Sequence, residues 1–134
     1  MGGVPDPGSL ELFNVLVLCA KEVQPKVQGF KGTIIRAPFG DVPSLTSKER
    51  RTAIRAAREV AKRLRKGQKV LVTCHMGWNR SGLVTALALR MSTHRGTDEI
   101  IRRIRKARGP NALSNESFVR MIYGFGMHKK KAPH

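Results

Sequence analysis

The chain has 134 residues with a formal net charge of +17, and 40% of the residues are hydrophobic. This length supports one hydrophobic core rather than several domains. No run approaches the roughly 18 apolar residues of a membrane span, and Met1–Leu10 does not resemble a secretory signal, so a cytoplasmic protein is expected. The charge predicts attraction to polyanions, either RNA or an acidic surface, through basic helix faces.

The N-terminal third of the chain predicts two strands. Residues 1–11 are expected to form a flexible lead-in. The apolar and β-branched run Phe13–Cys19 predicts a buried parallel strand, and Thr33–Arg36 predicts a second one. Two prolines in Ala37–Pro43 predict a stiff loop after the second strand.

The next segment predicts an amphipathic helix. Thr46 and Glu49 have the spacing of a capping box, and Gly67 is typical of a helix end. Apolar residues recur at helical spacing on one face of this segment, and basic residues lie mainly on the other. The apolar set is Ala53, Ala57, Val60, Ala61 and Leu64; the basic set is Arg51, Arg55, Arg58, Lys62 and Arg65.

Strand and helix signals continue to alternate after Gly67. Val70–Thr73 predicts a third strand, followed by a buried helix that stops near Gly96. Thr97 is expected to cap a third helix and Asn115 a last short one. This alternation predicts a single three-layer αβα domain over residues 12–126, with a mostly parallel central sheet, and a basic disordered tail over 127–134.

The third predicted strand leads into a segment that suggests chemistry. It ends at Cys74, Arg80 follows, and Ser81-Gly82 opens the apolar helix. The N-terminus of a helix binds anions through its unpaired backbone N–H groups, and it favours the thiolate form of a nearby cysteine. A thiolate, a bidentate arginine and a ring of amides together predict a nucleophile inside a phosphate site. The expected phosphate-binding residues are His75, Met76, Gly77, Trp78, Asn79 and Arg80.

The pattern C-x-x-G-x-x-R-S-G after a strand resembles the cysteine-dependent protein tyrosine phosphatases, particularly their dual-specificity branch. Leu18–Glu22 and Ala37–Asp41 also resemble that family's upstream strand and acid loop, and Arg108 with Asn115 and Phe118 resembles its closing turn and last helix. Two features depart from the pattern. Thr73 stands where the family usually has histidine, and the family's N-terminal strand region is reduced.

The chemistry assigns a role to each of the key side chains. Cys74 would attack phosphorus and form a phosphocysteine, while Arg80 and the loop amides hold the equatorial oxygens. By resemblance, Ser81 would assist the departing thiolate. The helix end and Arg80 would supply the positive charge, so no metal or cofactor is expected, and the four histidines lack metal-ligand spacing.

A general acid is needed to protonate the leaving group, and Asp41 is the candidate. It lies on the loop after the second predicted strand and matches the position of the family's acid. A turn aspartate that bonds only its own backbone is the alternative. Asp6, Glu22 and Glu49 are the rival acids.

The second cysteine, Cys19, ends its predicted strand as Cys74 ends another. With the Cys74 strand in the middle of a parallel sheet, the two strands would be neighbours, about 4.8 Å apart. Some relatives with a Leu-Cys-Ala-x-Glu segment use that cysteine as a redox partner, and the resemblance implies the same here. The plain alternative is a small core residue.

The main functional hypothesis is a phosphatase acting on protein phosphotyrosine, with phosphoserine and phosphothreonine as further substrates. Asn79 before Arg80, together with the charge, also fits the RNA 5′-phosphatase relatives of the family. A phosphoinositide phosphatase fits the upstream segments, although lysines would be expected where Met76 and Trp78 stand. A non-catalytic module that binds phosphate or nucleic acid is the alternative from another class.

Overall fold

A computed structural model describes residues 12–22, 24, 27, 29–74 and 79–125. The predicted lead-in, the tail and the residues 75–78 lie outside the described residues. Among the described residues, three strands and four helices follow one another in the order β-β-α-β-α-α-α. The strands are β1 (Val15–Ala20), β2 (Thr33–Phe39) and β3 (Val70–Thr73), and the helices are α1 (Ser47–Arg65), α2 (Asn79–Ser92), α3 (Thr97–Arg108) and α4 (Glu116–Gly124).

The three strands form one parallel sheet in the order β2-β1-β3. The predicted α/β class with a parallel sheet is therefore confirmed. The expectation that the Cys74 strand lies in the middle is wrong within the described residues, because β1 is central and β3 lies at the edge. β1 and β3 are nevertheless neighbours, and Leu18 pairs with Thr73.

The sheet has two unequal faces. Val15, Val17 and Cys19 point to the face where buried residues of all four helices form the main core. Leu16 and Leu18 point to the other face, where the described side chains that pack on them come from the loop before β2 and from the neighbouring strands. Those residues are Val27, Phe30, Ile34 and Leu71. The helices of the described part therefore share one side of the sheet.

β2 is longer than the sequence predicts. It continues through Ala37, Pro38 and Phe39, which were expected to belong to a loop. Proline lacks an N–H and is tolerated in a strand at the edge of a sheet. β2 is such an edge strand, and Pro38 is exposed while Ala37 and Phe39 are buried, so alternation along the strand outweighed the local proline signal.

The helix ends follow the predicted caps with two exceptions. The capping box of Thr46 and Glu49 is present, and the Asn115 side chain accepts hydrogen bonds from two backbone N–H groups at the start of α4. The third helix is capped by Gly96, not by Thr97; the Thr97 hydroxyl instead accepts a hydrogen bond from Arg90. α2 ends at Ser92, before the expected boundary near Gly96.

The outward faces of α1 and α3 are rich in basic side chains. On α3, Arg102, Arg103, Arg105 and Lys106 are exposed while Ile100, Ile101 and Ile104 are buried. The predicted separation of basic and apolar faces is therefore present, and polyanion binding stays a prediction. None of the helices in the described ranges has the length and apolar character to span a bilayer.

Candidate active site

The site is built where β3 meets the first turn of α2. Cys74 follows β3 directly and is buried, and its Sγ lies 3.2 Å from the Ser81 Oγ. Ser81 is fully buried in the first turn of α2. When the sulfur is a thiolate, the serine hydroxyl can donate to it, which is the contact that the sequence predicts for Ser81.

Arg80 is buried beside this pair and is held by Glu22. Its Nη2 donates to Glu22 Oε2 at 2.7 Å, its Nη1 donates to Glu22 Oε1, and Nη1 also donates to the Phe39 carbonyl at 3.3 Å. The hydrogen bonds to Glu22 raise the pKa of Arg80. The guanidinium therefore stays charged, and its plane is set by a two-point contact.

Two asparagines hold Asp41. Asn79 Nδ2 donates to Asp41 Oδ2 at 3.0 Å, and Asn115 Nδ2 donates to Asp41 Oδ1 at 2.8 Å. Asn115 also donates to the carbonyl of Val42, so it binds the loop backbone as well as the carboxylate. Because Asn79 precedes Arg80 in the chain, these bonds place the Asp41 carboxylate at the start of α2.

Asn79 connects three segments. Besides its bond to Asp41, its Oδ1 accepts from Asn115 N at 3.2 Å and from Ser114 Oγ at 3.3 Å. The turn that contains Ser114 and Asn115 also packs closely on α2. A Cβ added to Gly82 would lie 3.0 Å from the Leu113 side chain. The glycine after Ser81 therefore permits the close packing of this turn on α2.

The rival acids have other roles or lie outside the described residues. Glu22 is engaged by Arg80, as described above. Glu49 accepts from Gly40 N at 2.8 Å, and this bond chiefly lowers its pKa, with the cap of α1 adding to the effect. A carboxylate committed to backbone N–H groups in its ionised form is poorly suited to donate a proton. Asp6 is not among the described residues.

The chain matches a known protein family over most of its length. The model of the dual specificity phosphatase catalytic domain matches residues 12–128. The chain belongs to this family. As a dual specificity phosphatase domain, it falls within the phosphatase hydrolases.

Solved structures of phosphatases have the same fold. A mutant form of Tk-PTP matches with a TM-score of 0.75 and 22% identity, over 93% of this chain and 84% of that one. Human DUSP28 matches with a TM-score of 0.73 and 17% identity, over 92% of this chain and 87% of that one. DUSP15 matches with a TM-score of 0.72 and 20% identity, over 89% of this chain and 73% of that one. No curated protein sequence matches significantly.

The chain departs from the family pattern at Thr73, and the structure shows what the threonine does. The buried Thr73 hydroxyl donates to the carbonyl of Val17 at 3.1 Å. This bond joins β3 to the neighbouring strand β1. The side chain before Cys74 thus stabilises the sheet next to it.

Two contacts of the site were not predicted. Glu22 was considered only as a rival acid, yet it is the carboxylate that holds Arg80, and Asn115 was predicted only as a helix cap, yet it also binds Asp41. Both residues lie within segments that carry the family resemblance, and that was the available signal. Of the predicted phosphate-binding residues, His75, Met76, Gly77 and Trp78 lie outside the described residues.

Glu22→Gln tests the hold on Arg80. The neutral amide loses the charge-assisted two-point contact, and about half of the Glu22 side chain is exposed, so the expected destabilisation is about 1 kcal/mol. We expect phosphate to bind about tenfold more weakly because the guanidinium plane is no longer set. Isothermal titration with phosphate and a thermal melt measure the two effects.

Glu59→Gln is the matched control, because it removes the carboxylate paired with Arg63 on α1, outside the site. If both variants bind phosphate as the wild type does, Glu22 does not position Arg80.

Cys19 lies beside Cys74 on the neighbouring strand. Leu18 of β1 pairs with Thr73 of β3, and Cys19 and Cys74 are the residues that directly follow this pair. Both are buried free thiols. Burial raises the pKa of Cys19, and the neighbouring Cys74 raises it further. Cys19 is therefore a protonated thiol at neutral pH.

Mild peroxide is expected to produce a reversible Cys19–Cys74 disulfide. Peroxide oxidises the Cys74 thiolate to a sulfenic acid, and Cys19 then attacks that sulfur and expels water. Adjacent strands lie within the roughly 4.4–6.8 Å Cα separation that a disulfide accepts. Because the pKa of Cys19 is raised, the second step should accelerate with rising pH. Peptide mapping detects the disulfide, and recovery of activity with reductant shows that it is reversible.

Cys19→Ala is the matched variant, since it keeps the nucleophile and should lose activity irreversibly under the same peroxide. If peptide mapping of the oxidised wild type shows a free Cys19 and an over-oxidised Cys74, Cys19 is a core residue and not a redox partner.

Proposed function

We propose that this protein hydrolyses phosphate monoesters on proteins, chiefly phosphotyrosine and also phosphoserine and phosphothreonine, through a phosphocysteine intermediate. One observation carries the proposal: Cys74, Arg80 and Asp41 lie together at the first turn of α2, although Asp41 comes from the distant loop after β2. Cys74 contacts Ser81, Arg80 is oriented by Glu22, and Asp41 is bound by Asn79. A nucleophile, an oxyanion-binding cation and an acid are the groups that this reaction requires.

The first step transfers the phosphoryl group to sulfur. The Cys74 thiolate attacks phosphorus as the bond to the leaving oxygen breaks, and Asp41 gives that oxygen its proton. Arg80 stabilises the charge on the equatorial oxygens, which is greatest in the transition state. Its charge is secure because its pKa is raised by the bonds to Glu22.

The second step returns the enzyme to its starting state. Water attacks phosphorus, the sulfur–phosphorus bond breaks, and the Asp41 carboxylate accepts the proton from the water. The departing sulfur recovers its negative charge, and the Ser81 hydroxyl lies 3.2 Å away, where it can donate to it. This role is the one that the sequence predicts for Ser81.

One observation favours phosphoproteins over RNA as substrates. Asn79 was the residue that fitted the RNA 5′-phosphatases, but here its amide binds Asp41, Ser114 and Asn115. That role accounts for the asparagine without an RNA ligand.

A substrate panel tests the proposal. Initial rates would be compared for phosphotyrosine, phosphoserine and phosphothreonine peptides, 5′-triphosphate RNA and phosphoinositides. We expect the highest kcat/KM with phosphotyrosine peptides. A preference for the RNA would support the RNA 5′-phosphatase alternative, and phosphate binding without turnover of any substrate would support a non-catalytic module.

A further inference from the structure

Arg105 of α3 binds the backbone of the turn that follows this helix. Its Nε donates to the Ala112 carbonyl at 3.2 Å, and its Nη2 donates to the Leu113 carbonyl at 3.0 Å. Within the described part of the chain Arg105 forms no ion pair, whereas its neighbour Arg103 pairs with Glu99. One planar guanidinium therefore holds two consecutive peptide groups through charge-assisted hydrogen bonds.

The turn that Arg105 holds contains a strained residue. Leu113 has a φ of 59°, and among the described residues it is the one non-glycine residue with a positive φ. A leucine in the left-handed region persists only where its surroundings fix it. Its side chain is fully buried and packs against Gly82 of α2. The two carbonyls bound by Arg105 belong to the peptide groups on either side of the Leu113 Cα, so the arginine fixes both backbone dihedral angles of this residue.

The residues directly after Leu113 hold the proposed general acid. Ser114 Oγ and Asn115 N both donate to Asn79 Oδ1, at 3.3 Å and 3.2 Å. Asn115 Nδ2 donates to Asp41 Oδ1 at 2.8 Å. The backbone angles at Leu113 set the direction in which the chain leaves the turn. They therefore decide whether Asn115 reaches the Asp41 carboxylate.

We propose that Arg105 is a positioning residue for the acid: by fixing the peptide groups around Leu113, it keeps Asn115 in contact with Asp41. The inference rests on the proposed function, because it requires Asp41 to protonate the leaving group. The hydrogen bonds of Arg105 go to the turn and not to the phosphate-binding residue Arg80. Loss of Arg105 should therefore weaken protonation of the leaving group and spare phosphate binding.

Arg105→Gln tests this role. The shorter, neutral side chain cannot hold both carbonyls, so Leu113 can leave the left-handed region and carry Asn115 away from Asp41. We expect kcat/KM to fall about tenfold for aryl phosphates with poor leaving groups, part of the full contribution of a general acid, and less than about twofold for those with good ones. Initial rates across a series of graded leaving groups measure this, and isothermal titration should show unchanged phosphate binding.

Arg103→Gln is the matched control, because it removes the same charge from the same helix two residues away, where the side chain is exposed and paired with Glu99. It should behave as the wild type. Arg105→Lys keeps the charge but replaces the planar fork by a single ammonium, and should recover part of the lost rate. Hydrogen exchange at the Asn115 amide, which donates to Asn79, should accelerate in Arg105→Gln and not in Arg103→Gln.

A double variant shows whether Arg105 acts through the acid. When Arg105→Gln is added to Asp41→Ala, the rate should fall no further, because the group that Arg105 positions has already been removed. An arginine that only stabilises the fold would instead lower the melting temperature and slow all substrates of the series by the same factor. A thermal melt of each variant accompanies the kinetics.

Three outcomes would overturn the inference: additive losses in the double variant, equal losses of Arg105→Gln across the leaving-group series, or unchanged exchange at the Asn115 amide. If any of these occurs while Asp41→Ala depends on the leaving group as expected, the inference alone fails and the proposed function stands. If Asp41→Ala shows no such dependence, the proposed acid is wrong, and the role of Arg105 is wrong with it.

Discussion

Cys74→Ser is expected to abolish hydrolysis of a small aryl phosphate, leaving below about 1% of the wild-type rate, because a serine hydroxyl is a far weaker nucleophile than a thiolate. Binding of phosphate or tungstate should persist, since Arg80, its partner Glu22 and the start of α2 remain in place. Steady-state kinetics and isothermal titration with tungstate provide the two measurements.

The matched control is Cys19→Ala, which removes the other buried thiol and should keep full activity under reducing conditions. A thermal melt confirms that both variants are folded. More than a few per cent of residual turnover in Cys74→Ser would mean that the reaction does not pass through a phosphocysteine at this residue.

Asp41→Asn is expected to slow hydrolysis by about 10²–10⁴-fold for substrates with poor leaving groups. For a substrate whose leaving group needs no proton, the loss should be small, because the acid then contributes little. A series of aryl phosphates with graded leaving groups, measured under single-turnover conditions, separates the two cases.

The contacts of Asp41 make a second variant necessary. Asparagine would present an N–H₂ group to the donating amides of Asn79 and Asn115, which could shift the loop. Asp41→Ala avoids that clash and should show the same dependence on the leaving group. Glu59→Gln, which removes a carboxylate from α1, should show none. Equal losses across the whole series would reduce Asp41 to a residue that only ties its loop to α2.

Most of the helix and strand positions could be predicted because their signals are local. The capping residues Thr46 and Glu49 and the cap Asn115 bond to backbone groups within three residues of themselves, so neighbouring residues were sufficient. The first turn of α2 places the Arg80 charge and the Ser81 hydroxyl close to Cys74. Because these residues follow Cys74 by six and seven positions, their spacing is also a local signal. The proposed nucleophile and the proposed phosphate-binding arginine therefore come from one stretch of sequence, and their proximity could be predicted from it.

The strand order was decided by the tertiary structure. Alternation of strands and helices predicts a parallel sheet, but it does not say which strand is central. Among the described strands, β1, whose residues are all buried, takes the central position, and the partly exposed β3 takes an edge. β2 continued through Pro38 for a similar reason, because an edge position tolerates the missing N–H.

The supporting contacts of the site also arise only in the folded chain. Glu22 and Arg80 are 58 residues apart in the sequence, and Asp41 and Asn115 are 74 apart. No local signal specifies such pairs, since each residue has a plausible local role as a loop carboxylate, a turn residue or a helix cap. The sequence by itself predicts the chemistry proposed for Cys74 and Arg80. Packing of β1, β2 and the turn before α4 around the start of α2 decided which groups hold the arginine and the acid, because those contacts exist only once the strands are in order.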